Sequence, residues 1–267
     1  MSFYGSEFIF DGVSCREFGL ELYDKISSTS QDEKQFAPME YADDRVPGRY
    51  TTINYGGYYK EPLSFKLVFG VEEYYHDAYD SFDRWDIERI AAWLTGHQEY
   101  KWLQIVQDDM GDVRYRCHIS DLKVIDVFSK QYGFECTVTC DSPFAYMLPR
   151  TYTYEITGSA DIEVYNPSSY NGYYLPKMKV SLSSGNDIII VNASDNYREF
   201  SLRGIPTGCG TIDINHDTQL ISCDAELNLY PYWNMKTLRL ARGLNKLSIT
   251  GDCTLELTCE FPANVGG

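Results

Sequence analysis

Apolar residues in this chain recur at every second position over long stretches. Leu63, Phe65, Leu67 and Phe69 alternate with Ser64, Lys66 and Val68, and Val113, Tyr115, Cys117 and Ile119 alternate with Arg114, Arg116 and His118. Successive strand side chains point to opposite faces, so the pattern predicts half-buried strands with one wet face. The same period returns at 134–140, 178–182, 212–214, 238–240 and 255–257, between clusters of Gly, Asn and Asp. The fold class is mainly β. One segment departs from it. From about Asp77 to Thr95, the residues Tyr79, Phe82, Ile87, Ile90, Ala91, Trp93 and Leu94 fall on one broad face at ~100° per residue, which predicts a single amphipathic helix. Trp85, Ile90 and Leu94 are expected against the sheet, with Asp86, Glu88 and Arg89 turned to solvent or a neighbouring subunit. Asp77, Asp80 and Asp83 suit the positive end of the helix, and Gly96 suits its C-cap.

Two prolines in Asp141-Ser142-Pro143 to Leu148-Pro149-Arg150 interrupt the strand pattern, because proline donates nothing to a ladder. The expected division is a β domain with one helix over 1–146, a linker at 147–151, and an all-β sandwich of short strands over 152–267. Residues 24–60 are rich in turn formers but include a strand signal at Thr51–Tyr55, and read as an extended hairpin or arm.

Charge narrows the function. With 39 acidic against 23 basic side chains, the net charge is −16. Nucleic acid and anionic membranes both demand a basic face, so neither is an expected partner. No run of 18 apolar residues occurs, and Met1–Glu7 lacks a basic-then-apolar leader, so the expectation is a soluble chain that is not secreted by a signal peptide.

The usual chemical markers are missing as well. No Gly-x-Ser-x-Gly, His-Glu-x-x-His or Walker loop is present, and no catalytic residue or cofactor is expected. The eight cysteines have no Cys-x-x-Cys spacing and His76, His97, His118 and His216 are scattered, so reduced core thiols are expected and no metal. Asp108-Asp109-Met110-Gly111-Asp112 lacks the ligand alternation of a calcium loop and reads as a hairpin turn. Gly204, Gly208 and Gly210 around Pro206 read as a hairpin connection, and Asn192-Ala193-Ser194 as an ordinary turn. Two other function classes stay open. Tyr170, Tyr173, Tyr174, Tyr230, Tyr232 and Trp233 would form a sugar-stacking platform in a carbohydrate-binding module contacting wall polysaccharide. Two acids converging in a cleft would make a glycoside hydrolase.

Several segments taken together carry a resemblance. Phe8-Ile9-Phe10-Asp11-Gly12-Val13-Ser14 followed by Phe18-Gly19-Leu20, Arg45-Val46-Pro47-Gly48-Arg49, Pro62 to Phe69, the helix ending Trp93-Leu94, and Phe134-Glu135-Cys136 to Cys140-Asp141-Ser142-Pro143-Phe144-Ala145-Tyr146 follow one another in family order. Beyond them stand Tyr165-Asn166-Pro167, Tyr174-Leu175-Pro176-Lys177-Met178, Phe200 to Gly204, Thr211-Ile212-Asp213 and Gly243-Leu244-Asn245. The chain resembles the distal tail (Dit) proteins of tailed bacteriophages, departing from the family's Asp-Pro turn where Ser142 intervenes.

The resemblance implies a tail-tube-like first domain, a galectin-like second domain and a non-enzymatic virion component. It implies a homohexameric ring at the distal end of the tail, assembled in the host cytoplasm. The ring would join the tail tube protein to a tail-tip or hub protein of the tail-associated lysin type, near the tape-measure and receptor-binding proteins, and DNA would pass through it. Arg45, Arg49, Asp86, Glu88 and Arg89 are then candidates for the subunit interface. Glu72, Glu73, Asp108, Asp109 and Asp112 are candidates for channel-wall acids, since an acidic lumen repels passing phosphate.

Overall fold

The computed structural model describes residues 7–23, 36–71, 81–108, 110–127 and 130–265. It falls into two compact units, Met1–Tyr146 with Asn264–Gly267, and Met147–Ala263. Strand β10 (Ala145–Met147) ends and β11 (Arg150–Ile156) begins inside the stretch expected as a linker, leaving only Leu148 and Pro149 between them.

The strands of the first unit are β1 (Glu7–Phe10), β2 (Val13–Ser14), β3 (Leu20–Leu22), β4 (Met39–Asp44), β5 (Ile53–Tyr59), β6 (Ser64–Val71), β7 (Lys101–Val106), β8 (Val113–Val127) and β9 (Lys130–Cys140). Seven of them join in the order β2-β1-β7-β8-β9-β6-β3. Antiparallel register brings Leu67 opposite Cys136, Phe65 and Ile119 opposite Val138, and Cys117 opposite Cys140. The period-two pattern thereby becomes one apolar face, with Phe69 and Phe134 stacked at 5.5 Å.

Helix α1 (Arg84–Thr95) closes this core. It begins later than the periodicity predicts, because Asp83 is its N-cap. The Asp83 carboxylate accepts from Trp85 N at 2.7 Å and Asp86 N at 2.8 Å, and the Asp86 carboxylate accepts from Asp83 N at 3.2 Å. This reciprocal capping box satisfies amides that the first turn leaves unpaired. The predicted helical residues 77–80 lie outside the described residues. Ile90 and Leu94 are buried, but Trp85 is 73% exposed, contrary to expectation. It sits five residues before Ile90 and therefore about 140° around the helix. The aromatic anchor is Trp93, whose indole N–H donates to the Phe10 carbonyl at 3.2 Å and whose ring stacks on Phe18 at 4.5 Å. Gly96 ends the helix without the left-handed turn expected of a C-cap glycine, at φ −74°. It is required for space: a Cβ there would lie 2.4 Å from the Ala92 carbonyl oxygen.

The second unit adds β12 (Ser159–Asn166), β13 (Lys177–Asn192), β14 (Arg198–Leu202), β15 (Thr211–Asn215), β16 (Leu220–Cys223) and β17 (Gly243–Cys259). Short strands are expected throughout this unit, yet β13 and β17 are long, at 16 and 17 residues. These pair along their length but break register between Leu182 and Ile189. The first half of β13 pairs β15 and its second half pairs β14, while β17 pairs β12 with its first half and β11 with its second. The break coincides with Gly185 and Gly251, both at positive φ, where the strands bend. Two layers thus share the same two strands around one core containing Val180, Ile190, Phe200, Ile212, Leu247 and Leu255.

Leu238–Leu240, predicted as a strand, makes only a single bridge, between Leu240 and Tyr174. Buried asparagines hold this segment instead. Asn192 Nδ2 donates to Arg239 O at 2.8 Å and to Asn245 Oδ1 at 3.0 Å, Asn166 Nδ2 donates to Leu240 O at 3.1 Å, and Asn245 Oδ1 accepts from Ala241 N at 2.8 Å. Side-chain amides replace a ladder, which explains apolar alternation without a strand. The Asn192-Ala193-Ser194 turn is correspondingly a short 3-10 turn over Ala193–Asp195 with its asparagine buried.

His216 is buried against the Phe200 ring at 5.2 Å, and neither ring nitrogen has a hydrogen-bond partner among the described residues. Burial pushes its pKa down to about 4. The unfolded chain takes up this proton near pH 6.5 and the folded one only near 4, so the second unit should lose stability as pH falls through that window, by about 3 kcal/mol in all. Chemical-denaturation midpoints between pH 7 and 4 should show this slope in the wild type and a shallower one in His216→Phe. Parallel slopes would refute the assignment.

Candidate assembly surfaces

Strands β4 and β5 pair only with each other, as a separate ribbon. Register places Met39 opposite Tyr59 and Tyr41 opposite Gly57, so Met39 and Tyr41 share one face while Glu40 and Tyr58 share the other, and Tyr55 falls in a bulge between the paired Gly57 and Asn54. The second face is tied locally: the Tyr58 hydroxyl donates to Glu40 at 3.0 Å and Lys60 donates to the same carboxylate at 3.2 Å. The first face is left open, with Met39 44% and Tyr41 62% exposed, and Tyr55 in the bulge is 69% exposed. Tyr59 roots the ribbon, meeting Phe144 edge-on at 5.1 Å. Arg45, Arg49 and the fully open Tyr50 stand in the connection between the strands, where Gly48 takes φ +86° and Arg49 N donates to Val46 O at 3.1 Å. An isolated two-stranded ribbon is marginal in water, and an apolar face at its surface marks a place for a partner.

The helix residues expected at an interface have different surroundings. Glu88 and Arg89 are exposed, with the Arg89 guanidinium 5.7 Å from the Phe18 ring centre, whereas Asp86 is engaged in the capping box. Asp108 and Asp112 are exposed in the β7–β8 turn, the hairpin predicted there. Glu72, Glu73 and Asp109 lie outside the described residues. No group of three metal-ligating side chains forms among the described residues.

In the second unit the six aromatic residues do not make one platform. Trp233 is buried with its N–H donating to Lys236 O at 2.9 Å, Tyr174 accepts from Glu260 N at 2.7 Å, and Tyr230 donates to Gln219 O at 3.3 Å. Tyr173 lies under the Arg239 guanidinium at 3.8 Å. Periodicity does not reveal this last group: Arg239 forms a two-pronged ion pair with Asp195, at 2.5 and 2.9 Å, and the Asp195 side chain is fully buried. Burial raises the Asp195 pKa, but hydrogen bonds from Arg239 and Tyr173 outweigh it and hold the carboxyl below its ordinary value.

A shallow groove of about 370 Å³ crosses the outer face of β17, β13, β15 and β16. Cross-strand register places Lys179 between Glu256 and Asp213, and Lys177 between Thr258 and Asn215. Two carboxylates that flank one lysine share a cationic neighbour.

Known proteins supply the context. A family described as phage tail protein N-terminal domain matches residues 3–142, and one described as phage tail C-terminal domain matches residues 144–259. No curated protein sequence matches. Among solved structures, the SPP1 Dit (gp 19.1) protein, described as a paradigm of the hub adsorption apparatus in Gram-positive-infecting phages, superposes with a TM-score of 0.66 at 11% identity, covering 96% of this chain and 98% of its own. That likeness shows a shared fold across both units. With its two halves matched in succession by the two tail domains, the chain belongs to the phage tail protein family.

Proposed function

We propose that this tail protein is the distal tail component: a non-enzymatic homohexameric ring joining the tail tube protein to a hub or tip protein, with a channel for DNA. The observation that carries this reading is the Dit fold over 96% of the chain, with a tail family match to each half. In this reading 1–146 is the ring-forming, tail-tube-like domain and 152–267 the galectin-like domain. Assembly takes place in the host cytoplasm, and the tape-measure and receptor-binding proteins are neighbours in the finished tail.

The described geometry supports a subunit contact through the β4–β5 ribbon. The seven-strand path ends in β2 and β3, edges of two and three residues that offer little backbone to a neighbour. The ribbon instead offers aromatic side chains and a basic tip at Arg45 and Arg49, suited to the acidic surface of another copy of a chain with net charge −16. Glu88 and Arg89 belong to the same proposed interface. Asp108 and Asp112, with Glu72, Glu73 and Asp109, are proposed to face the channel.

Six copies of 30.7 kDa give a native mass of about 184 kDa, which mass photometry should register at high protein concentration. Arg45→Glu/Arg49→Glu should shift that population to the monomer without changing the melting temperature. A stable dimer within the assembled tail, or a hexamer indifferent to the tip charges and to removal of the ribbon, would overturn the reading.

A further inference from the structure

Most of the eight thiols are conventional core residues, and one has different surroundings. All eight cysteines are buried and unbridged. Burial pushes the thiols at 15, 136, 140, 253 and 259 up to between about 11 and 12, and raises that of Cys117 further. Such thiols carry almost no thiolate and react slowly. Cys223 has the largest exposure of the eight, 9%, and is the terminal residue of β16.

Its neighbour is Cys209. The turn Gly208-Cys209-Gly210 places both glycines at positive φ, and a Cβ on Gly210 would lie 3.0 to 3.5 Å from the Asp224 side chain. Thr211 N donates to the Asp224 carboxylate at 3.0 Å and Asp224 N donates to Thr211 O at 3.2 Å. These bonds clamp the residue after Cys223 onto the two residues after Cys209. Both thiols consequently lie in one buried cluster, at the two ends joined by this clamp. Burial raises the Cys223 thiol, but hydrogen bonds from the Cys209 thiol and from the backbone at Leu227 and Ala225 outweigh it and leave it below its ordinary value. Burial, together with the partner sulfur, drives Cys209 up to about 12. Of the two thiols, Cys223 is the more acidic.

We infer that Cys209 and Cys223 are an oxidisable dithiol that closes to an intramolecular disulfide on exposure to a peroxide, while the other six cysteines stay reduced. The Cys223 thiolate attacks one peroxide oxygen; the S–O bond forms, the O–O bond breaks, and the departing oxygen leaves as water after taking up a proton. Cys209 sulfur then attacks the sulfur of the Cys223 sulfenic acid, forming the S–S bond and expelling a second water. Two thiols and one hydrogen peroxide give one disulfide and two waters. The pair is thus reduced on synthesis in a reducing compartment and available for oxidation outside it.

The test treats the full-length protein with hydrogen peroxide, quenches it, denatures it without reductant and counts free thiols. The wild type should fall from eight thiols to six and lose two mass units, and peptide mapping should join the segments containing Cys209 and Cys223. Cys209→Ser should fall from seven to six instead, with Cys223 trapped as a sulfenic acid by a dimedone probe. Mapping of the wild type is independent of whether the variant folds. A count that stays at eight, a different joined pair, or loss of thiols spread evenly over all eight would overturn the assignment.

Discussion

Ile90→Asp is expected to abolish folding of the first unit. Ile90 is 1% exposed, in the middle of α1 and inside the cluster formed by Phe69, Phe134, Ile105 and Leu94. A carboxylate placed there has no partner, and an unpaired buried charge costs several kcal/mol against a total of about 5–15 kcal/mol for a domain. The variant should lose its cooperative thermal transition for the first unit and become protease-sensitive over residues 7–140. Glu88→Lys, on the exposed side of the same helix, should change stability by no more than about 0.5 kcal/mol. Equal melting temperatures for wild type and Ile90→Asp would remove α1 from the core.

The second unit depends in the same way on one ion pair. Arg239→Met should cost about 3–5 kcal/mol, because it strands the buried Asp195 carboxylate after removing the guanidinium that holds it. Replacing both residues, as Asp195→Leu/Arg239→Met, should recover much of that loss, since an apolar pair leaves no charge to solvate. The pH dependence has a definite sign. A carboxyl held low in the folded state gives stability above its unfolded pKa that is lost as pH falls through the folded value, so the wild type should weaken towards acid and Arg239→Met should lack this contribution. Urea midpoints for the three proteins at pH 7 and pH 3 decide the matter. A single variant as stable as the wild type would show that the pair contributes nothing net.

Much of the sheet is legible in the sequence because one face of each strand is wet and the other dry. Leu63–Phe69, 113–119 and 134–140 alternate, and all three are strands of the first unit. Residues 238–240 alternate equally well, yet beyond one bridge to Tyr174 their carbonyls at Arg239 and Leu240 are met by the side chains of Asn192 and Asn166, distant in sequence and of a type more often found at turns. Trp85 is misplaced by a reading in which apolar character outweighs angular position, whereas Trp93 lies one residue from Leu94 and reaches the Phe10 carbonyl through its indole N–H. The ribbon is legible as an arm from its turn-rich composition, but its pairing register depends on a bulge between Tyr41 and Asp43 that no pattern announces. The Asp195–Arg239 pair and the Cys209–Cys223 pair each unite residues from separate strands and loops. Spacing carries no information about such meetings.

The two bent strands of the second unit have a mechanical consequence. In a sandwich made of separate sheets, one sheet can peel away while the other keeps its hydrogen bonds. Here β13 and β17 run through both layers, so a pull that opens the ladder at Lys177–Thr258 is transmitted along the same covalent chains to Asn192–Leu247. The layers share a fate under load: amide exchange should slow in both to the rate set by global opening, and a stretching force should meet one rupture event instead of two.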